Sequence, residues 1–177
     1  EKLACFAITE KGCGSDVRSI TTHVDRTESG YVLNGKKWNI TNAPVADICM
    51  TFGKVVGKQE KSIACFIFET NNENIKQSKP FDLMGNRGTP IGEIDFENVQ
   101  LATNNRVGKE DDGLAVLYFS FLVERVLTGI LVSGCITPLI QESLDYSLER
   151  KAFGKSIGDN QYVQQYVVDI ETKLELL

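Results

Sequence analysis

The chain has 177 residues, is 42% hydrophobic and carries a formal net charge of −5. That length supports one sizeable core or two small ones, and the mild acidity argues against a nucleic-acid surface, which needs a clustered basic face. Five cysteines (Cys5, Cys13, Cys49, Cys65 and Cys135) form an odd set with no C-x-x-C and no paired metal spacing. Most lie in apolar strand-like runs, so they read as reduced, buried residues of a reducing compartment, with no disulfide framework and no metal site. His23, the single histidine, sits in a Thr-rich run, which argues against a role as base or ligand. The chain starts almost directly on a strand at Glu1, without an initiator methionine or signal peptide, and reads as an excerpt from a longer, non-secreted protein.

Up to about residue 106 the pattern is of strands and turns. Residues 6–16, F-A-I-T-E-K-G-C-G-S-D, open as an apolar strand and stop at Thr9; Gly12 and Gly14 then flank Cys13, followed by Ser15 and Asp16. Glycines let a backbone approach a bulky partner with its N–H groups turned outward, and Thr9 and Ser15 add a hydroxyl on each side. An ordinary strand-ending turn explains G-x-G-S alone equally well. Residues 17–24 are rich in Thr and β-branched residues, and 26–30 read as a polar turn. The runs 31–33 and 38–41 flank Asn34-Gly35, a short-range hairpin signal. Residues 47–56 and 62–69 are strand-like and are linked by the glycine- and lysine-bearing stretch 57–61. Residues 71–80 read as a loop, 84–90 as a turn cluster and 92–96 as a further strand. Several short strands at roughly 8–12-residue spacing predict an antiparallel barrel or sandwich.

The texture changes at G-K-E-D-D-G (108–113), where Asp111 and Asp112 suit the start of a helix. Residues 114–136 are apolar on nearly every side. They are long enough to raise a membrane span, but Glu124-Arg125 lies at the centre, and each charge at mid-bilayer costs roughly 2.5–3.5 kcal/mol. A helix buried in a protein bundle is the better reading. Pro138 predicts a kink or break near Gly134. Residues 141–150 and 161–177 read as amphipathic helices, the last with Val163, Tyr166, Val167, Ile170, Leu174 and Leu177 at helical spacing. The fold class expected is therefore α+β: an antiparallel barrel or sandwich over 1–108, then an antiparallel helical bundle segment over 109–177.

T-E-x-G-x-G-S-D (9–16), L-N-G-x-K (33–37) and I-T-N-A (40–43) together resemble the middle domain of the flavin-dependent acyl-CoA dehydrogenases. Further along, M-G-N-R-G-T-P (84–90), G-E-I-D-F-E-N-V (92–99), V-G-K-E-D-D-G (107–113) and Arg150-x-x-Phe153-Gly154 followed by Gln161 extend the resemblance over essentially the whole chain. It implies FAD as cofactor and α,β-dehydrogenation of an acyl-CoA thioester. It also implies electron-transfer flavoprotein or another electron acceptor, a homodimer or homotetramer, and a bacterial cytoplasm or mitochondrial matrix. The alternatives are an acyl-carrier-protein-linked dehydrogenase, an oxygen-using relative, or a member that binds flavin without catalysis.

By the same resemblance, Phe6, Ile8 and Thr9 would border the flavin ring, with Gly14 and Ser15 at the pyrophosphate or the bound thioester. Ile40 and Thr41 would lie over the ring next to Asn39, so that Thr9, Ser15 and Thr41 line one site. Arg150, Ala152, Phe153, Asn160 and Gln161 would reach the cofactor of a neighbouring subunit. Arg150 can grip a pyrophosphate with a bidentate fork, although a solvated cation ending a helix explains it as simply. Arg125 would lie near the acyl thioester.

Two positions depart from the family pattern. Asn39 stands where members carry Trp, and Trp38, one residue early, would by strand alternation face away from the ring. Leu122 stands where many members place an Asp that contacts pantetheine. Glu124 is the candidate catalytic base, because a carboxylate within so apolar a run is costly to desolvate and burial raises its pKa. The resemblance allows a base here or on later helices, and an ion pair within a bundle would also account for the residue.

Overall fold

The computed structural model describes residues 1–57 and 62–177. The link expected over 57–61 therefore falls, beyond Gly57, outside the described residues. The chain divides into two compact units, Glu1–Tyr118 and Phe119–Leu177.

The first unit is built on strands β1 (Ala4–Ala7), β2 (His23–Arg26), β3 (Gly30–Thr41), β4 (Ile48–Val55), β5 (Ile63–Glu69), β6 (Ile75–Gln77), β7 (Ile91–Ala102) and β8 (Arg106–Val107). They form one sheet in the order β6-β7-β3-β2-β4-β5-β8, with β1 also on β4. The sheet is mixed and does not close into a barrel, which corrects the antiparallel expectation. One edge of β4 carries two short strands in tandem, and both run parallel to it. Ala4–Ala7 pair with residues 48–51, and His23 and Val24 with Lys54 and Val55. Period-two patterning marks a strand but not its direction.

The Asn34-Gly35 hairpin is also corrected, since β3 runs straight through this pair. The chain reverses earlier instead, at residues 27–30, where Thr27 N donates to the Gly30 carbonyl at 3.0 Å. Gly35 has φ +144°, and a Cβ there would lie 2.7 Å from Thr22 Cα, so its glycine serves a close backbone approach within a strand. The segment read as a loop over 71–80 contains β6, and β7 is longer than its expected core.

The core alternates as half-buried strands should on each side of a register shift in β7: Tyr31 and Leu33 on β3, Ile94 and Phe96 before the shift and Val99 and Leu101 after it are buried. On β5 the run Ile63–Phe66 is buried without alternation, as in a strand covered on both faces. Each such large apolar side chain contributes about 1.5–3 kcal/mol on burial.

The acidic joint is tied to this unit. Arg26 grips Glu110 with two bonds of 2.9 and 2.7 Å, Tyr31 Oη donates to Glu110 at 2.8 Å, and Ser62 Oγ donates to Asp111. Helix α1 (Gly113–Glu149) begins here, with Leu117 fully buried.

The second unit holds the rest of α1, a hairpin of β9 (Lys151–Ala152) and β10 (Lys155–Ser156), and α2 (Gln161–Glu175). No break occurs at Pro138: α1 continues through it to Glu149. A proline deletes one helical hydrogen bond, and the turns on each side of this one carry on. By length and composition α1 is apolar enough to cross a membrane, with mean hydropathy 1.8 over an 18-residue window of which 6% is buried. The hairpin turns on Phe153 (φ 53°) and Gly154 (φ 81°), the left-handed pair that a two-residue type I′ turn requires. Ser156 Oγ donates to the Ser147 carbonyl at 2.6 Å, folding the hairpin back on the end of α1.

Candidate functional site

Past β1, Ile8 and Glu10 are buried and Thr9 between them is half-exposed. Glu10 and Cys13 exchange backbone hydrogen bonds of 2.9 and 3.1 Å, which closes a two-residue turn on Lys11-Gly12. Asp16 then caps a short helical turn, accepting from Arg18 N at 3.2 Å. Neither Gly12 nor Gly14 has a left-handed φ, and a Cβ at either would meet no atom within 4 Å. The chain's own packing does not demand these glycines. They leave the backbone open at this turn.

The second motif lies alongside the first. Trp38 N donates to the Thr9 carbonyl at 2.8 Å, and Asn42 Nδ2 to the Ala4 carbonyl at 3.3 Å. On β3, Lys37 pairs with Ile94 and Ile40 with Gly92, so β3 carries an extra residue, and Asn39 takes φ 55°. This bulge turns both Lys37 and Ile40 inward. The alternation argument for Trp38 therefore does not carry across the motif. The half-buried indole rests against Phe81, with ring centroids 4.8 Å apart, and Lys11 Nζ stands 4.2 Å from its centroid.

Under this surface lies a charged pair. Lys37 has no exposed surface, and its Nζ donates to Glu10 Oε1 at 2.9 Å and to the Ile8 carbonyl at 3.1 Å. Glu10 also accepts from the backbone N and hydroxyl of Thr21 (2.7 and 2.6 Å) and of Thr22 (3.0 and 2.6 Å). Burial pushes the Glu10 carboxyl up, but the Lys37 ammonium and the threonine donors outweigh it and hold the carboxyl at about 2. Burial lowers the Lys37 pKa against the opposing pull of Glu10.

The other candidate residues fall in two groups. In the first unit Gly14, Ser15, Asn39 and Thr41 are exposed and Phe6 is half-buried, its ring edge-on to Phe52 at 5.4 Å. Ile8 and Ile40 are 8% and 2% exposed, and their carbonyls already accept from Lys37 Nζ and Ala43 N. Among the described residues no hydrogen bond occupies the hydroxyls of Thr9, Ser15 or Thr41. In the second unit Arg150, Phe153, Asn160 and Gln161 are exposed and Ala152 is half-buried; Phe153 at the hairpin tip is wholly exposed. Glu124 and Arg125 are exposed on α1 without an ion pair among the described residues, so this chain does not bury Glu124 as the sequence argument supposed.

Glu10 and Lys37 were missed as site-forming residues, although both stand inside the quoted motifs. The available signal was a lysine on the inward parity of Tyr31 and Leu33, which calls for a buried carboxylate. Unspent hydroxyls, a bare glycine backbone and main-chain groups at two adjacent strand ends suit a large flat cofactor bearing phosphate.

Two family models match the chain: acyl-CoA dehydrogenase, middle domain, over residues 5–99, and acyl-CoA dehydrogenase, C-terminal domain, over residues 111–177. The chain belongs to the acyl-CoA dehydrogenase family. It is 33% identical over 175 residues to a 3-(aryl)acrylate reductase of Clostridium sporogenes, covering 98% of this chain and 46% of that one. It is 32% identical over 176 residues to an L-prolyl-[peptidyl-carrier protein] dehydrogenase of a Serratia species, covering 98% and 45%. A solved structure of PigA with FAD and proline superposes with a TM-score of 0.94 at 29% identity, covering 99% of this chain and 46% of that chain. The chain thus spans about half the length of the curated relatives it matches.

Proposed function

We propose that this chain is the flavin-facing part of an FAD-dependent dehydrogenase that introduces an α,β double bond into an acyl-CoA thioester. The observation that carries the reading is the juxtaposition of residues 6–16 and 36–44, joined by the Trp38–Thr9 hydrogen bond, with unspent hydroxyls and two open glycines beside it. Residues 1–108 act as the middle domain and 109–177 as the first part of a helical domain. FAD supplies the hydride acceptor for the substrate's β hydrogen. Thr9, Ser15, Thr41 and the main chain near Phe6, Ile8, Gly14, Asn39 and Ile40 bind and orient it. Ser15 and Arg125 contact the thioester, and Glu124 takes the α proton. Helix α1 is a bundle helix here, because Glu124-Arg125 within its apolar stretch opposes membrane insertion.

Arg150, Ala152, Phe153, Asn160 and Gln161 serve the cofactor of a neighbouring subunit, which makes the protein a homodimer or homotetramer. Electrons pass to electron-transfer flavoprotein or another acceptor, in a bacterial cytoplasm or mitochondrial matrix. The test is FAD retention by the full-length protein and its Arg150→Ala variant. The parent should hold FAD, and the variant should lose about 1.5–3 kcal/mol of its binding, the usual worth of a charged hydrogen bond, with the sheet intact by circular dichroism. A protein that is monomeric and holds FAD equally well with alanine at 150 contradicts the shared site.

A second reading, dehydrogenation of a carrier-protein thioester, is favoured by Leu122. It places an exposed apolar side chain, 60% accessible, where many members carry an Asp for pantetheine. The Serratia relative is named for a carrier-protein substrate. Comparing the same acyl group on CoA and on carrier protein separates the two readings.

A further inference from the structure

We infer that Lys37 and Glu10 are positioning residues for the cofactor. Their buried ion pair clamps the segment 8–10 against β3 and so presents Thr9 to the flavin at one fixed depth. This rests on the flavin site proposed above. β1 ends at Ala7, and its ladder runs to β4, not to β3. The register of residues 8–10 against β3 is set instead by three bonds: Lys37 Nζ to the Ile8 carbonyl, Trp38 N to the Thr9 carbonyl, and Lys37 Nζ to the Glu10 carboxylate. They hold three successive residues to two successive residues of β3, with Thr9 in the middle and turned to the exposed side. On its far side Glu10 is anchored by Thr21 and Thr22, immediately before β2. An apolar pair of similar volume would stabilise a core at least as well, so stability alone does not account for a fully buried lysine. A directional clamp does, because cofactor chemistry is sensitive to displacements near 1 Å.

The test uses the full-length protein carrying the neutral, similarly sized double change Lys37→Met/Glu10→Gln. Three quantities are read: the thermal midpoint of the apoprotein, the Kd for FAD on reconstitution, and the fine structure of the bound flavin's long-wavelength absorption band. The clamp predicts a folded apoprotein, a Kd raised at least about tenfold and a blurred band. A folded double variant with parental Kd and band shape overturns it and leaves the pair a purely structural role. Should the double variant not fold, Thr22→Val decides. Thr22 is fully buried and bonds the Glu10 carboxylate, and its loss should raise the Kd by about threefold; an unchanged Kd and spectrum overturn the clamp. Failure of the parent protein to bind FAD would instead overturn the flavin site itself, and the clamp with it.

Discussion

Glu124→Gln in the full-length protein should slow flavin reduction by at least about a hundredfold, the lower end of what a positioned general base contributes. Such a loss corresponds to about 2.7 kcal/mol of transition-state stabilisation. The substitution keeps size and hydrogen-bonding shape but cannot accept the α proton. FAD content and thioester binding should therefore stay near parental, which separates chemistry from assembly. Glu124 stands in solvent on α1 of this chain, amid exposed Leu122, Val123, Val126 and Leu127. Covering these apolar neighbours would remove water from the carboxylate as well. Anaerobic rapid mixing with thioester reads the rate directly. Near-parental reduction would exclude Glu124 from the mechanism.

Lys37→Met alone should be among the most destabilising single changes in the strand unit. It leaves the Glu10 carboxylate buried with its threonine donors but without its cation, a loss of about 3–5 kcal/mol. At about 2–4 °C per kcal/mol this lowers Tm by roughly 6–20 °C. The pH dependence follows from Glu10. Its folded-state carboxyl is depressed from 4.5 to about 2, so its contribution is fully present above 4.5 and is lost as pH falls toward about 2. The deficit of the variant relative to the parent should thus be largest near neutral pH and shrink as the carboxyl protonates below about pH 4.5. Urea unfolding of both proteins across this range checks it. A deficit independent of pH would assign the cost to lost packing of the lysine stem.

The legibility of this chain followed the kind of signal each element offered. Strand-like runs placed β4 and β5, and the apolar stretch after G-K-E-D-D-G and the helical spacing over 161–177 placed the start of α1 and α2, because each is a local signal. Strand direction is not local. Nothing in residues 4–7 or 23–24 says that both lie parallel on one edge of β4. Asn34-Gly35 misled for a physical reason, since a glycine needed for close approach to Thr22 looks in sequence like a turn glycine. Pro138 did not end the helix, as a long helix tolerates one missing bond. The site motifs were visible as letters, but their adjacency rests on Trp38 N to Thr9 O and on a bulge at Asn39 that alternation cannot anticipate. The second unit's residues were named by resemblance, since no local periodicity or spacing in 150–161 marks a cofactor contact.

The central claim is tested most directly by anaerobic titration of the full-length holoprotein with saturated acyl thioesters on CoA and on carrier protein. The account predicts bound FAD whose oxidised absorption bleaches on addition of thioester, with an α,β-unsaturated product two hydrogens lighter. A protein that holds no flavin, or whose flavin stays oxidised with every thioester of either kind, contradicts it.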